Sequence, residues 1–142
     1  MLLTRSALGC GGLPVAECAA DERPADAQSR WQMYHPTDYQ FIWQQQCFCL
    51  PDAVQPIRVT VNDGTITGAT DLTGKPVSGD IRKALMSIDA LYEYIRNGER
   101  AGAKVDFQCT GTGIPARVFI DPDAGVADDE FDVTISEFAV LQ

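Results

Sequence analysis

The chain has 142 residues, 45% of them hydrophobic and 22% charged, which suits one compact domain able to bury a core without metal or disulfide support. Eleven Lys and Arg stand against 20 Asp and Glu, a net charge of -9 that repels phosphate backbones and anionic lipid heads, so nucleic acid is not expected as a partner. No run approaches the roughly 18 consecutive apolar residues that a spanning helix needs, so no membrane span is expected either.

The first 26 residues read differently from the rest. They are small, apolar and Gly-rich through Ala16, then charged and Ala/Pro-rich to Asp26. Met1 to Gly9 has Arg5 in its middle and is too short for a complete secretory signal. Ala7-Leu8-Gly9-Cys10 faintly resembles a lipoprotein cleavage box, with Ala7 where a good box has Leu, which makes Cys10 a lipidation candidate beside a mis-set start or an ordinary tail. Residues 1–26 are therefore assigned to a disordered tail or the remnant of an export signal, and 27–142 to the folded domain.

In chain order, Ala27, Trp31 and Tyr34 lie on one face of a helix starting near Pro24, which Pro36 ends because proline excludes helical geometry before it. The period then changes to two: Tyr39, Phe41, Trp43, Cys47 and Cys49 share a strand face, broken only by Gln45, with Gln40, Gln44 and Gln46 opposite. Ile57, Val59 and Val61 alternate with polar residues up to Asp63-Gly64, the favoured two-residue hairpin turn, and Thr65-Ile66-Thr67 begins the return strand. Asp71 to Asp80, with Gly74, Pro76 and Gly79, reads as a loop.

Ser87 caps a second helix whose stripe is Ile88, Leu91, Tyr92 and Ile95, with Gly98 as the expected stop. Three strands follow: Lys104 to Cys109, Pro115 to Asp121, and Phe131 to about Val140. The expected fold is α+β, one antiparallel sheet of about six strands with both helices on one face, in the order α-β-β-β-α-β-β-β. That repeat of one helix and three strands raises the idea of a tandem duplication.

Cys47 and Cys49 admit three readings. A zinc cage wants four ligands, and the only histidine, His35, sits at a helix end before a proline. A redox-active pair lacks the flanking cations or helix N-terminus that would lower a thiol pKa. A structural disulfide is the favoured reading: Cys109 lies on an inward strand position and could cross-link to Cys47 or Cys49, while a direct Cys47–Cys49 bridge stands at the limit of what an extended chain allows. One free thiol would remain.

Asp121, Asp123, Asp128, Asp129 and Glu130 place five carboxylates in ten residues, the oxygen ligands that calcium prefers. Gly125 falls one place early for an EF-hand and Asp132 occupies the closing position, so a solvated acidic loop is expected and no metal is assigned. Gly111-Thr112-Gly113 opens a strand and not a helix, which excludes a phosphate loop. No serine or cysteine sits in a nucleophile elbow. No catalytic residue and no cofactor is assigned.

Trp31, the strand ending in Cys47-Phe48-Cys49, Ile57-Arg-Val-Thr-Val-Asn-Asp-Gly64, Ser87-Ile-Asp-Ala-Leu-Tyr92, Gly113-Ile-Pro115, Val118-Phe-Ile-Asp121 and Ala127-Asp-Asp-Glu130 occur in an order that resembles a bacterial domain-of-unknown-function family, number 6174. The resemblance covers about Arg30 to Leu141. It implies export, as a small secreted protein or lipoprotein, and paired cysteines; it brings no activity. Cys109 departs from the family's usual polar or aromatic residue, and the incomplete signal implies a start further upstream.

The function expected is a non-catalytic binding or envelope-associated module, periplasmic, extracellular or lipid-anchored, contacting a protein or small ligand. The alternative is a hydrolase-like or thiol-redox enzyme using the acidic loop or Cys47 and Cys49.

Overall fold

The computed structural model describes residues 17–19, 21–47, 49–122 and 130–141. Helix α1 (Pro24–Tyr34) starts on a proline, whose missing N–H is no loss in the first turn, and ends where His35 takes a left-handed conformation and donates its N–H to Trp31 O. Strand β1 (Tyr39–Gln45) follows, then a one-turn helix α2 (Pro51–Val54) and the hairpin of β2 (Ile57–Asn62) and β3 (Thr65–Thr70). At its tip Asp63 and Gly64 both have positive φ, 50° and 75°, as the expected turn requires.

The stretch expected as a loop holds more structure than its Gly and Pro suggest. The Asp71 side chain accepts from the backbone of Thr73 and Lys75, and Ser78 caps a short helix α3 (Gly79–Ala84). Helix α4 (Ile88–Arg100) begins at the expected cap, with Ser87 Oγ accepting from Ala90 N, and buries the expected Ile88, Leu91, Tyr92 and Ile95. It does not stop at Gly98. A Cβ at that position would stand 3.3 Å from Ile120 Cγ2, so this glycine serves close packing of helix on sheet and the helix runs one further half-turn. Strands β4 (Lys104–Cys109), β5 (Pro115–Asp121) and β6 (Phe131–Val140) complete the fold.

All six strands form one antiparallel sheet in the order β3-β2-β1-β6-β5-β4. The chain is thus α+β, as the period changes predict, with the two main helices against one face. The core is a single layer between them: Tyr39, Phe41 and Trp43 of β1, Ile57, Val59 and Val61 of β2, Val118 and Ile120 of β5, and Val133 and Ile135 of β6, closed by Ala27, Trp31 and the α4 stripe.

The two αβββ halves agree in element order alone. Viewed from the helical face with β1 pointing up, β2 lies on one side of it; with β4 pointing up, β5 lies on the other, because the two meanders run in opposite directions with the same spatial order. Halves of opposite hand cannot be superposed by any rotation.

Strand β6 changes face part-way. Phe131, Val133 and Ile135 turn inward with period two, which would put Glu137 in the core. Instead Glu137 takes φ 51° at a register shift opposite Gln40 and Ile42, and Phe138 turns inward to lie 5.8 Å from the Trp31 ring and 5.3 Å from that of Tyr39. The bulge keeps a carboxylate in water and adds an aromatic to the core.

Three hydrogen bonds made by side chains of the core tie the helices to their neighbours. Trp31 Nε1 donates to Asp89 Oδ1 at 2.7 Å, joining α1 to the first turn of α4, and Ile88 N donates to the Tyr39 hydroxyl at 3.0 Å. Tyr92 donates to Gly113 O. Gly113, at φ 82°, lies so close to α1 that a Cβ would come within 2.3 Å of Ala27 O and 2.6 Å of Trp31 N. The Gly-Thr-Gly turn is therefore the seat of a helix.

Candidate functional site

The helices cover one face of the sheet. The alternate positions of the same strands form the other: Thr60 pairs with Gln40, Arg58 with Ile42, Gln44 with Thr134, and Thr134 with Arg117. Threonine suits a pleated surface and glutamine offers both donors and acceptors, so this face is polar without being strongly charged. Ile42 lies near its centre and is only 5% exposed.

The face's most ordered feature is a forked ion pair, Arg117 Nη2 to Asp132 Oδ2 at 3.1 Å and Arg117 Nε to Asp132 Oδ1 at 3.3 Å. The hydrogen bonds to Asp132, its charge, and the charge of Asp106 raise the Arg117 pKa. Phe119 lies under the guanidinium, 6.0 Å from ring centre to Cζ.

Cys109 is bonded to Cys18 and to neither cysteine of the doublet, so of the two pairings left open for the doublet the cross-link to Cys109 is not formed. The reason is strand order. Two strands, β6 and β5, separate β1 from β4, which puts β1 and β4 about 14 Å apart, far beyond disulfide reach. Cys18 reaches Cys109 because the chain before α1 runs along the outer edge of β4. Cys18 N donates to Cys109 O at 2.8 Å and Glu17 bridges to Thr110.

The described residues before position 27, assigned above to the tail, are thus placed against the sheet. Arg30 of α1 holds them there, with Nη1 to Glu22 Oε2 at 3.1 Å, Nε to Gly111 O at 2.9 Å and Nη2 to Cys18 Sγ at 2.9 Å. A cleft of about 510 Å³ lies beside this bridge, lined by Cys18, Phe107, Cys109 and Thr110 among others. Cys18 escaped the sequence reading because its neighbours carry no periodic pattern; an inward-facing Cys109 in need of a partner was the available signal.

Cys47 and Cys49 bond to each other, the pairing placed at the limit of an extended chain. The chain is not extended there: β1 ends at Gln45, and the Cα atoms of the two cysteines are 5.2 Å apart, against about 6.6 Å for i and i+2 on a strand. The expected strand face therefore stops at Trp43. Both flanks of the bridge are tied down, Gln46 N donating to Asp132 O at 2.8 Å and Gln44 Nε2 to Val54 O at 3.1 Å. Cys49 is exposed and Cys47 half-buried.

Of the acidic loop, Asp121 ends β5 and Glu130 precedes β6, while Asp123, Asp128 and Asp129, like the lipidation candidate Cys10, lie outside the described residues. Asp121 Oδ1 is buried without a hydrogen-bond partner among the described residues. Among those residues no group of three or more His, Cys, Asp or Glu is placed to hold a metal ion. His35 is the exposed cap of α1.

Two tyrosines have strongly displaced pKa values. Burial pushes the Tyr39 hydroxyl up to about 12, and burial likewise raises that of Tyr92. Both hydroxyls are occupied in holding the N-terminus of α4 and the Gly113 turn.

A six-stranded antiparallel sheet, helices on one side, a polar open face on the other and a disulfide at each of two corners define a one-sided α+β domain. Residues 23–140 match the Family of unknown function (DUF6174), and the chain belongs to that family. No curated protein and no solved structure matches it. No helix of the described residues is long and apolar enough to cross a membrane.

Proposed function

We propose that this protein is an exported binding module that engages a protein or small ligand through the open face of its sheet. The observation that carries the proposal is the one-sidedness of the sheet: the helices leave a mostly polar array of Thr, Gln, Arg and Asp side chains across five strands, from Thr60 to Asp106, set around Ile42 and Phe119. Such an array offers paired donors and acceptors on a rigid frame, which favours specific contact at low ordering cost. Two disulfides support export, since such bridges persist in oxidising compartments.

The test is affinity capture from extracts of the native cell envelope with the wild-type chain, with Thr134→Arg in the middle of the open face, and with Met33→Arg on the exposed side of α1. Partners retained by wild type and Met33→Arg but lost with Thr134→Arg support the proposal. Loss with Met33→Arg and retention with Thr134→Arg would move the binding surface to the helices.

A further inference from the structure

We propose that Cys47–Cys49 is a reactive disulfide that exchanges stoichiometrically with an accessible dithiol of another protein, while Cys18–Cys109 is a permanent staple. The two bridges differ in the length of the loop they close and in access to sulfur. One spans a sequence separation of 2 and the other of 91. A bridge stabilises a fold by as much as the fold holds the bridge oxidised, and closing a loop of two residues removes almost no freedom from the unfolded chain. Folding therefore does little to protect Cys47–Cys49 from reduction.

Access differs in the same sense. Cys47 and Cys18 are both half-buried, but Cys49 is exposed whereas Cys109 is 3% exposed, so only the short bridge has an open sulfur. The flanks of the short bridge are held by contacts that do not involve sulfur, Gln46 N to Asp132 O before it and Ala53 N to Leu50 O after it, so the reduced pair stays presented at the end of β1. The Arg30 guanidinium beside Cys18 Sγ favours a thiolate at the other bridge, but Glu22 shares that guanidinium and the long loop opposes opening.

In the exchange, a partner thiolate attacks the exposed Cys49 Sγ. The Cys47–Cys49 bond breaks, a mixed disulfide forms and Cys47 leaves as a thiolate that takes up a proton. The partner's second thiolate then displaces Cys49. The net result is two thiols here and one new disulfide on the partner, with two electrons moved. The proposal is independent of what the open face binds.

The experiment equilibrates the oxidised protein in mixtures of reduced and oxidised dithiothreitol, quenches in acid, alkylates, and reads each cysteine by peptide mass spectrometry, with thermal melts in parallel. Cys47 and Cys49 should reach half-reduction at a reduced-to-oxidised ratio at least tenfold lower than Cys18 and Cys109, about 30 mV for a two-electron couple, with the melting temperature unchanged at that point. In Cys47→Ser, Cys49 should form a trapped mixed disulfide with a disulfide-activated peptide that carries a single cysteine, since neither side then keeps a second thiol to displace it. Simultaneous reduction of both bridges, earlier reduction of Cys18–Cys109, or a fall in melting temperature on opening Cys47–Cys49 would overturn the proposal.

Discussion

The two faces of the sheet are built from alternate residues of the same strands, yet they obey different rules. On the covered face Phe41, Val59, Val61 and Val118 are completely buried, each constrained in volume by neighbours from another element. On the open face Thr60 and Thr134 pair with neighbours across the sheet, so the fold constrains them weakly and contact with other molecules is free to select them. A protein with one core layer thus separates the residues that hold it together from those it presents.

The strongest way to break this comparison is Phe41→Ala. It should cost about 3 to 5 kcal/mol by urea denaturation, because the cavity opens at a fully buried position of an interior strand. A loss under 1 kcal/mol would mean that the face is not closed.

Next in size is the double substitution Cys18→Ser with Cys109→Ser, expected to cost on the order of 2 to 5 kcal/mol. The Arg30 contact decides little of this: a cation changes the balance by about 1.4 kcal/mol per unit of thiol pKa, against the roughly 4 to 5 kcal/mol expected for so long a loop. The matching pair Cys47→Ser and Cys49→Ser should lose less than about 1 kcal/mol, and equal losses would erase the distinction between the bridges.

Gly113→Ala should cost about 3 kcal/mol, because the added methyl meets the backbone of α1 and φ is positive, whereas Gly64→Ala, also at positive φ but with open space around it, should cost about 1 to 2 kcal/mol. Comparable effects would place α1 further from the Gly113 turn than the geometry shows.

The covered face also predicts an alkaline limit. With its folded-state pKa raised to about 12 from a usual 10.0, Tyr39 contributes stability fully present below pH 10 and lost as pH climbs from 10 through 12, where the unfolded chain gains by ionising first. Tyrosinate absorbance should rise together with unfolding across that window. Ionisation of all four tyrosines near pH 10 in a chain that stays folded would contradict the enclosure of Tyr39. The smallest expected effect is Thr60→Ala on the open face, within about 0.5 kcal/mol of wild type; a large loss there would mean that the face carries structural weight.

Every element that local patterning predicts is present, because periodicity, capping and turn chemistry act within a few residues. The Asp63-Gly64 hairpin, the Ser87 cap and the α4 stripe are of this kind. Helix α3 was hidden behind Gly79 and Pro76, whose ordinary meaning is loop, and its cap at Ser78 was the signal to weigh against them. Of the candidate site, the doublet Cys47 and Cys49 was legible, but the open face was not, since polar alternation says only that one side of a strand is wet and not that the wet sides of five strands adjoin.

Composition and periodicity by themselves determined an α+β fold with one antiparallel sheet, the helix stripes and the hairpin, all consequences of interactions between residues close in the chain. The tertiary structure alone decided the order β3-β2-β1-β6-β5-β4, the opposite hand of the two halves, the bulge that turns Phe138 inward and the pairing of Cys18 with Cys109. These depend on which distant surfaces bury each other best, and a difference of that kind leaves no local mark in the residues that make it.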